Sequence, residues 1–342
     1  MKKVVIIGGG FAGAHVARKL EGSFHVTLID TKDYFEFTPG ILRTIVHPKH
    51  MKKIQVLHTH YLHKTKLIRG EVTEFTAQDV FVGKKKIPFD YLFVCSGSRY
   101  NTPIKEKNIV LPNRADALRK AHRQLESAKE VLIVGGGIVG VELAAEIIDF
   151  YPRKHITLVH SKTCLMERCD SRTQNYVENY FAKKGVTILY NQRLETKAGK
   201  FLLSSGEEVK TDLCFFCTGI IPNTELFRKH FASSLNERRQ VVVEETLQLK
   251  GYPHIFVVGD LNDIAEEKTA QGAEKQAELA VHNLFALETK QTLQSYHTFP
   301  KVMVISLGRF RAVLTYKHIV LTGFLPALAK WFVEWKTMMR YR

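Results

Sequence analysis

The sequence of 342 residues predicts an α/β fold built on two βαβ units, and three observations indicate it. An apolar run that ends in a glycine-rich turn occurs twice, once from residue 4 and once from residue 131. Each run is followed by a helical pattern and then by a second apolar strand. At roughly 150 residues per domain, the length allows about two domains, each with its own core.

The first βαβ unit spans residues 4–30 and carries a GxGxxG pattern at Gly8, Gly10 and Gly13. The first glycine allows a tight turn, the second lets the backbone approach a pyrophosphate, and the third permits close packing of helix on strand. Asp30 ends the second strand, where a carboxylate can accept hydrogen bonds from an adenosine ribose. The unit therefore predicts a dinucleotide site of the Rossmann type.

The second unit spans residues 131–160 and repeats the pattern at Gly135, Gly137 and Gly140. Two such units in one chain imply two nucleotide sites that face each other, as in flavoproteins that pass hydride from a nicotinamide to a flavin. His160 ends this second unit, where enzymes that select NADH usually carry a carboxylate. Nothing at that position repels a 2′-phosphate, so we expect both NADH and NADPH to be accepted.

Further segments agree with this architecture. Two buried strands end in small residues, in segments 89–98 and 212–220, which suits close passage beside a cofactor. A third strand is followed by Gly259 and Asp260, and a helical pattern covers residues 269–287. With these motifs, the chain resembles the two-dinucleotide-binding-domain flavoproteins.

That resemblance implies that the first glycine motif and the late Gly-Asp pair hold FAD, while the second glycine motif holds NADH or NADPH. It also implies that the helix beginning near Thr269 aims its N-terminus at the flavin ring. We expect an FAD domain over residues 1–112 and 240–290, interrupted by an NAD(P) domain over residues 113–239. Residues 291–342 would add strands and a C-terminal amphipathic helix.

The motifs and the resemblance together assign nucleotide-binding residues to both sites. Those expected at FAD are Gly8, Gly9, Gly10, Phe11, Ala12, Gly13, Asp30, Lys32, Arg43, Val72, Gly259 and Asp260. Those expected at NAD(P)H are Gly135, Gly137, Gly140, His160 and Gly219.

Redox-active thiols are not expected. The disulfide reductases of this group need a C-x4-C pair beside the flavin, and residues 31–70 contain no cysteine. Cys164 and Cys169 have that spacing but follow the second glycine motif. Cys214 and Cys217 lie in an apolar strand, where free cysteine usually serves as a small hydrophobe.

Two segments and one glutamate resemble parts of a family that uses no redox-active thiols beside its flavin. The segment KDYFEFTPGILR, residues 32–43, resembles the part of type II NADH dehydrogenases that lies beside the flavin. Residues 270–283 resemble their quinone-site helix, with Gln271 at the matching glutamine and Lys275 where a second glutamine is usual. Glu142 resembles the glutamate of that family near the nicotinamide, although an acid in the first turn of a helix also complements the helix dipole.

A second resemblance is to the ferroptosis suppressor group of apoptosis-inducing-factor-like quinone reductases. It rests on the spacing from Asp30 to Arg43, on LVHS after the second motif, on LGR at 307–309 and on WKTM at 335–338. It implies an FAD-dependent, non-proton-pumping NAD(P)H:quinone oxidoreductase that needs no metal. This second resemblance is also the one that implies FAD contact by Arg43 and by the backbone at Val72. The two resemblances together imply that Glu142, Gln271 and Lys275 are catalytic.

The C-terminal pattern predicts a strongly amphipathic helix. At 100° per residue its apolar residues occupy an arc of roughly 140°. They are Leu325, Leu328, Trp331, Phe332, Trp335, Met338 and Met339. Residues 301–342 contain eight Lys or Arg and one acid, Glu334, so the helix suits an anionic membrane surface. Docking onto the protein's own core or onto a second subunit is the alternative.

Two consequences follow for location and truncation. We expect peripheral membrane association from a cytoplasmic location, because Met1-Lys2-Lys3 does not begin a signal peptide and five cysteines do not form a disulfide framework. We also expect removal of residues 325–342 to leave FAD binding intact, because both glycine motifs lie far upstream. The oligomeric state stays open.

The net charge of +16 favours anionic partners and leaves two other functions open. One is an NAD(P)H-dependent reductase of a small iron–sulfur protein, and the other is a basic nucleic-acid-binding flavoprotein with little turnover. We do not expect nucleic acid as a partner, because the run 84–86 of three lysines fits the tip of a hairpin. Five histidines are expected at the surface and not at a metal site: His47, His50, His58, His60 and His63.

Overall fold

The structure is a computed structural model that describes residues 1–100 and 113–342. The end of the first predicted FAD segment, at residue 112, lies outside the described residues.

The elements of residues 1–100 are short strands and helices around the first glycine turn. The strands are β1 (Lys3–Ile7), β2 (His25–Asp30), β3 (Tyr34–Glu36), β4 (Gln55–Leu57), β5 (Lys66–Arg69), β6 (Val72–Phe75), β7 (Asp79–Val82), β8 (Lys85–Pro88), β9 (Tyr91–Val94) and β10 (Ser98–Arg99). The helices are α1 (Phe11–Leu20), α2 (Ile41–Val46), α3 (Met51–Ile54) and α4 (His58–Tyr61), with 3-10 turns at Thr38–Gly40 and Pro48–His50.

Residues 113–239 contain the elements around the second glycine turn, together with a segment near residues 225–231 whose side chains Leu226, Phe227 and Phe231 pack in the core of the first sheet. The strands are β11 (Glu130–Val134), β12 (His155–Val159), β13 (Thr187–Leu189), β14 (Leu194–Lys197), β15 (Lys200–Leu203), β16 (Leu213–Phe216) and β17 (Ile221–Pro222). The helices are α5 (Asn113–Ser127), α6 (Ile138–Phe150) and α7 (Ser171–Lys183), with 3-10 turns at Glu225–Phe227 and Ala232–Ser234.

The remaining elements return to the first unit and then form a C-terminal layer. The strands are β18 (Gln248–Leu249), β19 (Tyr252–Val257), β20 (Met303–Ser306), β21 (Ala312–Tyr316) and β22 (Ile319–Gly323). The helices are α8 (Ala270–Glu288) and α9 (Phe324–Met339).

Each glycine unit belongs to its own sheet. The first sheet has the order β18-β19-β9-β1-β2-β5, and its strands are parallel except for β18. The second has the order β13-β12-β11-β16 and is wholly parallel. The two short strands β10 and β17 pair antiparallel where the chain passes between the units. These features confirm the predicted α/β class with two Rossmann-like units.

Steric contact fixes both glycine turns. Gly8 has a φ of 96°, and Gly135 has a φ of 110°, which is the left-handed region that L side chains avoid. A Cβ on Gly13 would overlap the carbonyl oxygen of Gly8, and one on Gly140 would overlap that of Gly135. The third glycine of each motif therefore lets the helix lie directly against the turn, as the pattern predicts.

Helix α9 packs against the three-stranded sheet β20-β21-β22 with one side and leaves the other exposed. Its buried residues include Ala327 and Met338. Just beyond the helix, Tyr341 is 1% exposed and stacks on Phe35 with 4.0 Å between ring centroids. The ring of Tyr61 contacts the Tyr341 ring edge-on. This chain end is part of the core that carries the first glycine unit.

This packing removes the reason given for one expectation and corrects another. Removal of residues 325–342 would expose the surface beneath Tyr341, so distance in sequence from the glycine motifs does not make the segment dispensable. The expectation of surface histidines is wrong for His50 and His58, which are 5% and 2% exposed. His50 lies 3.2 Å from Glu334 on α9, and its burial follows from the docking of that helix. His47, His60 and His63 are exposed as predicted.

The burial of Tyr341 generates a stability prediction. Tyr341→Ala should lower the free energy of unfolding by about 3–5 kcal/mol, because it empties a large aromatic site in the core. Trp335→Ala is the matched control, since Trp335 is 58% exposed, and it should change the value by less than about 0.5 kcal/mol. Urea denaturation of the purified variants measures both. Equal losses for the two variants would contradict this role of Tyr341.

Candidate functional site

One cavity of about 2100 Å³ contains both glycine turns. It lies at the carboxyl ends of the parallel strands, where ligands bind in open α/β sheets. Sixteen of the predicted site residues line it. They are Gly8, Gly9, Gly10, Phe11, Ala12, Asp30, Lys32, Val72, Gly135, Gly137, Glu142, His160, Gly219, Gly259, Asp260 and Gln271.

Four other predicted residues do not line this cavity. Gly13 and Gly140 lie beneath the turns and act through packing. The guanidinium of Arg43 is held 2.7 Å from the buried Glu146 of α6, so it does not reach the cavity where FAD contact was expected. Lys275 is 59% exposed and pairs with Glu278 outside the cavity. Its position gives no support to the expected quinone contact.

The glycine turns leave space where a phosphate must approach. A Cβ on Gly10 or on Gly137 would meet no atom within 4 Å, although both residues line the cavity. Each is the N-cap of its helix, and neither helix has a side-chain cap hydrogen bond. Free N–H groups and the positive end of the dipole therefore face this space. Both turns fit a pyrophosphate.

Asp30 is fixed at the first turn, where the sequence predicts an acceptor for a ribose. Its Oδ2 accepts a hydrogen bond of 2.7 Å from Gly9 N–H. Burial disfavours the charged form, but the neighbouring His58 ring and the charge of Lys32 hold the pKa of Asp30 below its usual value. Nε2 of His58 lies 3.6 Å from this carboxylate, while Nδ1 bonds the Tyr61 hydroxyl. The carboxylate is thus charged and fixed at neutral pH.

The second turn has a histidine in the equivalent place. Nδ1 of His160 accepts a hydrogen bond of 3.1 Å from Gly136 N–H. The imidazole therefore replaces the carboxylate as acceptor for the turn. Its ring is buried and lines the cavity.

The late Gly-Asp pair is fixed by a buried polar network. Gly259 N–H donates to the side-chain oxygen of Gln276 on α8 at 2.8 Å, and Asn262 donates to the same oxygen. Ser98 donates to Asp260 at 2.5 Å. Thr269 caps α8 by accepting from Gly272 N–H. The start of α8 and Asp260 thereby border the cavity in a defined position.

Glu142 is held by the C-terminal segment. Its carboxylate accepts from Ser306 N–H at 2.7 Å and pairs with Lys330 Nζ of α9 at 2.5 Å. Both partners come from residues that follow the two nucleotide units in sequence. These two contacts hold the buried carboxylate in one orientation where it lines the cavity.

The five cysteines are free, and the surroundings of Cys169 and Cys217, which line the cavity, do not favour thiol chemistry. Burial raises the pKa of Cys217 to about 12 and that of Cys169 to about 11. Thiols with such pKa values are protonated at neutral pH and are poor nucleophiles. Among the described residues, no group of three His, Cys, Asp or Glu side chains could hold a metal ion.

Sequence reasoning missed several residues that line the cavity. Lys330 lies outside the apolar arc of the predicted C-terminal helix, yet its side chain is mostly buried. Glu167 and Arg193 lie in loops without a motif. A signal for this contact is the spacing of Lys330 and Glu334, which places both on the helix face opposite the aromatic residues. If the aromatic face is exposed, both must face the protein, where they pair with Glu142 and His50.

Comparison with known proteins agrees with this geometry. The pyridine nucleotide-disulphide oxidoreductase model matches residues 2–281. The chain belongs to this family. It is 30% identical over 356 residues to ferroptosis suppressor protein 1 of Homo sapiens, covering 98% of this chain and 95% of the relative. It is 30% identical to apoptosis-inducing factor homolog B of Dictyostelium discoideum, covering 90% of this chain and 87% of the relative.

Solved structures share the fold. The sulfide:quinone oxidoreductase of Aquifex aeolicus superimposes with a TM-score of 0.84 at 19% identity and covers 100% of this chain and 92% of its own. NDH2 of Plasmodium falciparum in complex with NADH gives 0.81 at 16% identity, over 100% of this chain and 96% of its own. With the family established, the chain is a flavin-dependent oxidoreductase that uses a nicotinamide cofactor.

The open space at the two turns generates a paired prediction. Gly10→Val should abolish FAD retention without unfolding the protein, because the new side chain fills the space of the pyrophosphate. Gly137→Val should retain FAD but lose reduction by NADH and NADPH by at least roughly a hundredfold. Flavin absorbance after gel filtration and stopped-flow reduction measure the two effects, with circular dichroism as the folding control. Full FAD occupancy in Gly10→Val would contradict the assignment.

Proposed function

We propose that this protein is an FAD-dependent NAD(P)H:quinone oxidoreductase that takes its quinone from a membrane. The observation that carries the proposal is the extent of the cavity, which continues past the start of α8 to the side of α9. The residues that line this extension are Gln271, Glu274, Val302, Met303, Val304, Val333, Lys336, Thr337 and Arg340.

The composition of this extension suits a quinone. Valine and methionine side chains supply apolar walls for a ring and the beginning of a prenyl tail. Gln271 is fixed by a hydrogen bond of 2.9 Å from its Nε2 to the carbonyl of Val302. Lys336 places positive charge at the same end, where electron density accumulates on a quinone oxygen during reduction, while Arg340 there is paired with Glu274.

The two halves of the cavity have separate tasks in this proposal. When bound, FAD supplies the chemistry, accepting hydride from the nicotinamide and releasing two electrons to the quinone. The glycine turns hold the two pyrophosphates, and Asp30 holds the ribose of FAD. Glu142, oriented by Lys330, borders the nicotinamide end. The sulfide:quinone oxidoreductase that shares this fold has a quinone acceptor in its name, and we propose the same acceptor class here.

The outer face of α9 supports membrane contact. Its exposed side chains are large and apolar, namely Phe324, Leu325, Leu328, Trp331, Phe332, Val333, Trp335 and Met339. The described part of the chain has no helix that is long and apolar enough to cross a membrane. An aromatic face beside the cavity extension is suited to lie in the headgroup region, where it would bring the opening to a lipid-dissolved substrate.

Internal ion pairs reduce the charge available for this contact. Of the eight basic residues of segment 301–342, four are paired within the protein: Lys301, Arg309, Lys330 and Arg340. Apolar insertion should therefore contribute more to vesicle binding than the basic charge does. We expect anionic vesicles to be favoured only moderately, with a preference that fades as salt rises.

Blocking the extension tests the reaction. In the unmodified protein, NADH and NADPH should reduce the flavin, and a water-soluble quinone should reoxidise it. Val333→Trp should slow the second step by roughly tenfold and leave the first unchanged, because only the acceptor end is narrowed. Leu328→Trp is the control, since Leu328 is exposed on the same helix away from the cavity. Stopped-flow absorbance separates the two steps.

A different electron acceptor and a DNA-binding assay distinguish the two alternative functions. Reoxidation by a ferredoxin-like protein but not by quinones would replace the proposal with an iron–sulfur protein reductase. Steep, salt-sensitive DNA binding without NADH oxidation would indicate a nucleic-acid-binding flavoprotein. Unchanged quinone turnover in Val333→Trp would reject the assigned entry route.

The aromatic face has its own test. The double variant Phe332→Ser/Trp335→Ser should bind phosphatidylcholine vesicles at least roughly tenfold more weakly, because each buried aromatic contributes about 1.5–3 kcal/mol. Turnover with a water-soluble quinone should not change. Leu57→Ser, which alters an exposed apolar residue on β4, is the control. Vesicle sedimentation measures binding, and equal binding by all three proteins would contradict membrane contact by α9.

A further inference from the structure

Two charged residues of opposite sign line the cavity with His160, at the end where the proposed NAD(P) site would hold the adenosine. Glu167 follows β12 by eight residues, and Arg193 lies just after β13, next to β12 in the second sheet. Both line the cavity together with His160. A carboxylate therefore does lie beside His160, at a position where the end of β12 alone predicts no group that repels a 2′-phosphate.

Comparison of the two glycine units shows what Glu167 does. In the first unit a carboxylate, Asp30, accepts from the turn, and the imidazole of His58 lies behind it. In the second unit the order is reversed. His160 accepts from the turn through Nδ1, so its proton is on Nε2, which lies 3.5 Å from Glu167. In the second unit the carboxylate, Glu167, thus lies behind the imidazole and not against the turn, and it still lines the cavity.

Hydrogen bonds of its backbone fix the position of Arg193. Its carbonyl accepts from Ser204 N–H at 2.9 Å, and its N–H donates to the Ser204 hydroxyl. The preceding residue, Gln192, donates its N–H to the carbonyl of His160 at 3.0 Å. Arg193 is therefore anchored directly beside the end of β12. Among the residues that the structure describes, its guanidinium has no ion-pair partner.

The other charges nearby do not duplicate these two. Arg168 also lines the cavity, but it is paired with Glu267 at 2.9 Å. Lys162 is exposed and does not line the cavity. Glu167 and Arg193 are thus the two charges available to a ribose and its substituent.

We propose that Glu167 and Arg193 set the choice between NADH and NADPH, Glu167 by accepting from a free 2′-hydroxyl and Arg193 by pairing with a 2′-phosphate. This inference rests on the proposed nucleotide site and deepens it. A carboxylate accepts from a ribose hydroxyl but repels a phosphate, whereas a guanidinium binds a phosphate strongly. With both present, the unmodified protein accepts both cofactors.

Equilibrium binding tests the proposal without turnover. ADP-ribose and 2′-phospho-ADP-ribose are titrated into the FAD-loaded protein by calorimetry, because neither ligand contains a nicotinamide ring that could react. Arg193→Gln should weaken the phosphorylated ligand roughly tenfold and leave ADP-ribose nearly unchanged. Glu167→Gln should shift the ratio of the two affinities roughly tenfold the other way. Both shifts should shrink as salt rises.

Matched charge-removing variants outside the cavity control for the overall electrostatic field of the protein. Glu195→Gln and Lys197→Gln remove charges from an exposed pair on β14 that does not line the cavity, so they should leave the ratio unchanged. Equal effects of Arg193→Gln on both ligands, or no effect of either cavity variant on the ratio, would overturn the proposal. Quinone turnover plays no part in this readout, so failure of the proposed acceptor would leave the binding result intact.

Discussion

Close contact between a helix and the turn that precedes it is the constraint on which this structure depends. At both glycine motifs the third glycine lies against the carbonyl of the first, where no Cβ could fit. The contact brings the helix N-terminus to the strand end and directs its free N–H groups into the cavity. The position of both helix N-termini, and the positive potential that they direct into the cavity, follow from this single steric requirement, which is repeated in two sheets.

Helix α6 then joins the second unit to the rest of the molecule. Glu142, Glu146 and Asp149 occur at spacings of four and three, on one face of the helix. Each pairs with a cation from another segment, respectively Lys330, Arg43 and Arg309. Since Glu142 and Glu146 are mostly buried, loss of one partner would leave an uncompensated charge, which typically costs about 3–5 kcal/mol. The face thus holds three separate segments in register around the cavity.

The sequence was sufficient to predict whatever is local. Both βαβ units, the turn glycines, Asp30 and the boundaries of α8 and α9 follow from periodicity and short motifs, because these signals come from neighbouring residues. The side of α9 that is buried could not be predicted, since an amphipathic pattern does not identify which face meets protein. The pairing of Arg43 with Glu146 was equally inaccessible, because it joins residues that are 103 positions apart.

The contact of Tyr341 with Phe35 has a consequence for biosynthesis. The strands of the second sheet, β11 to β16, lie between these rings in sequence, so the rings cannot meet until that sheet has emerged from the ribosome. During translation the core around Phe35 lacks one of its aromatic walls. A chain interrupted anywhere in the inserted unit would present that gap to the cell's proteases and chaperones. The core of the first glycine unit is therefore complete only after the second unit has been synthesised.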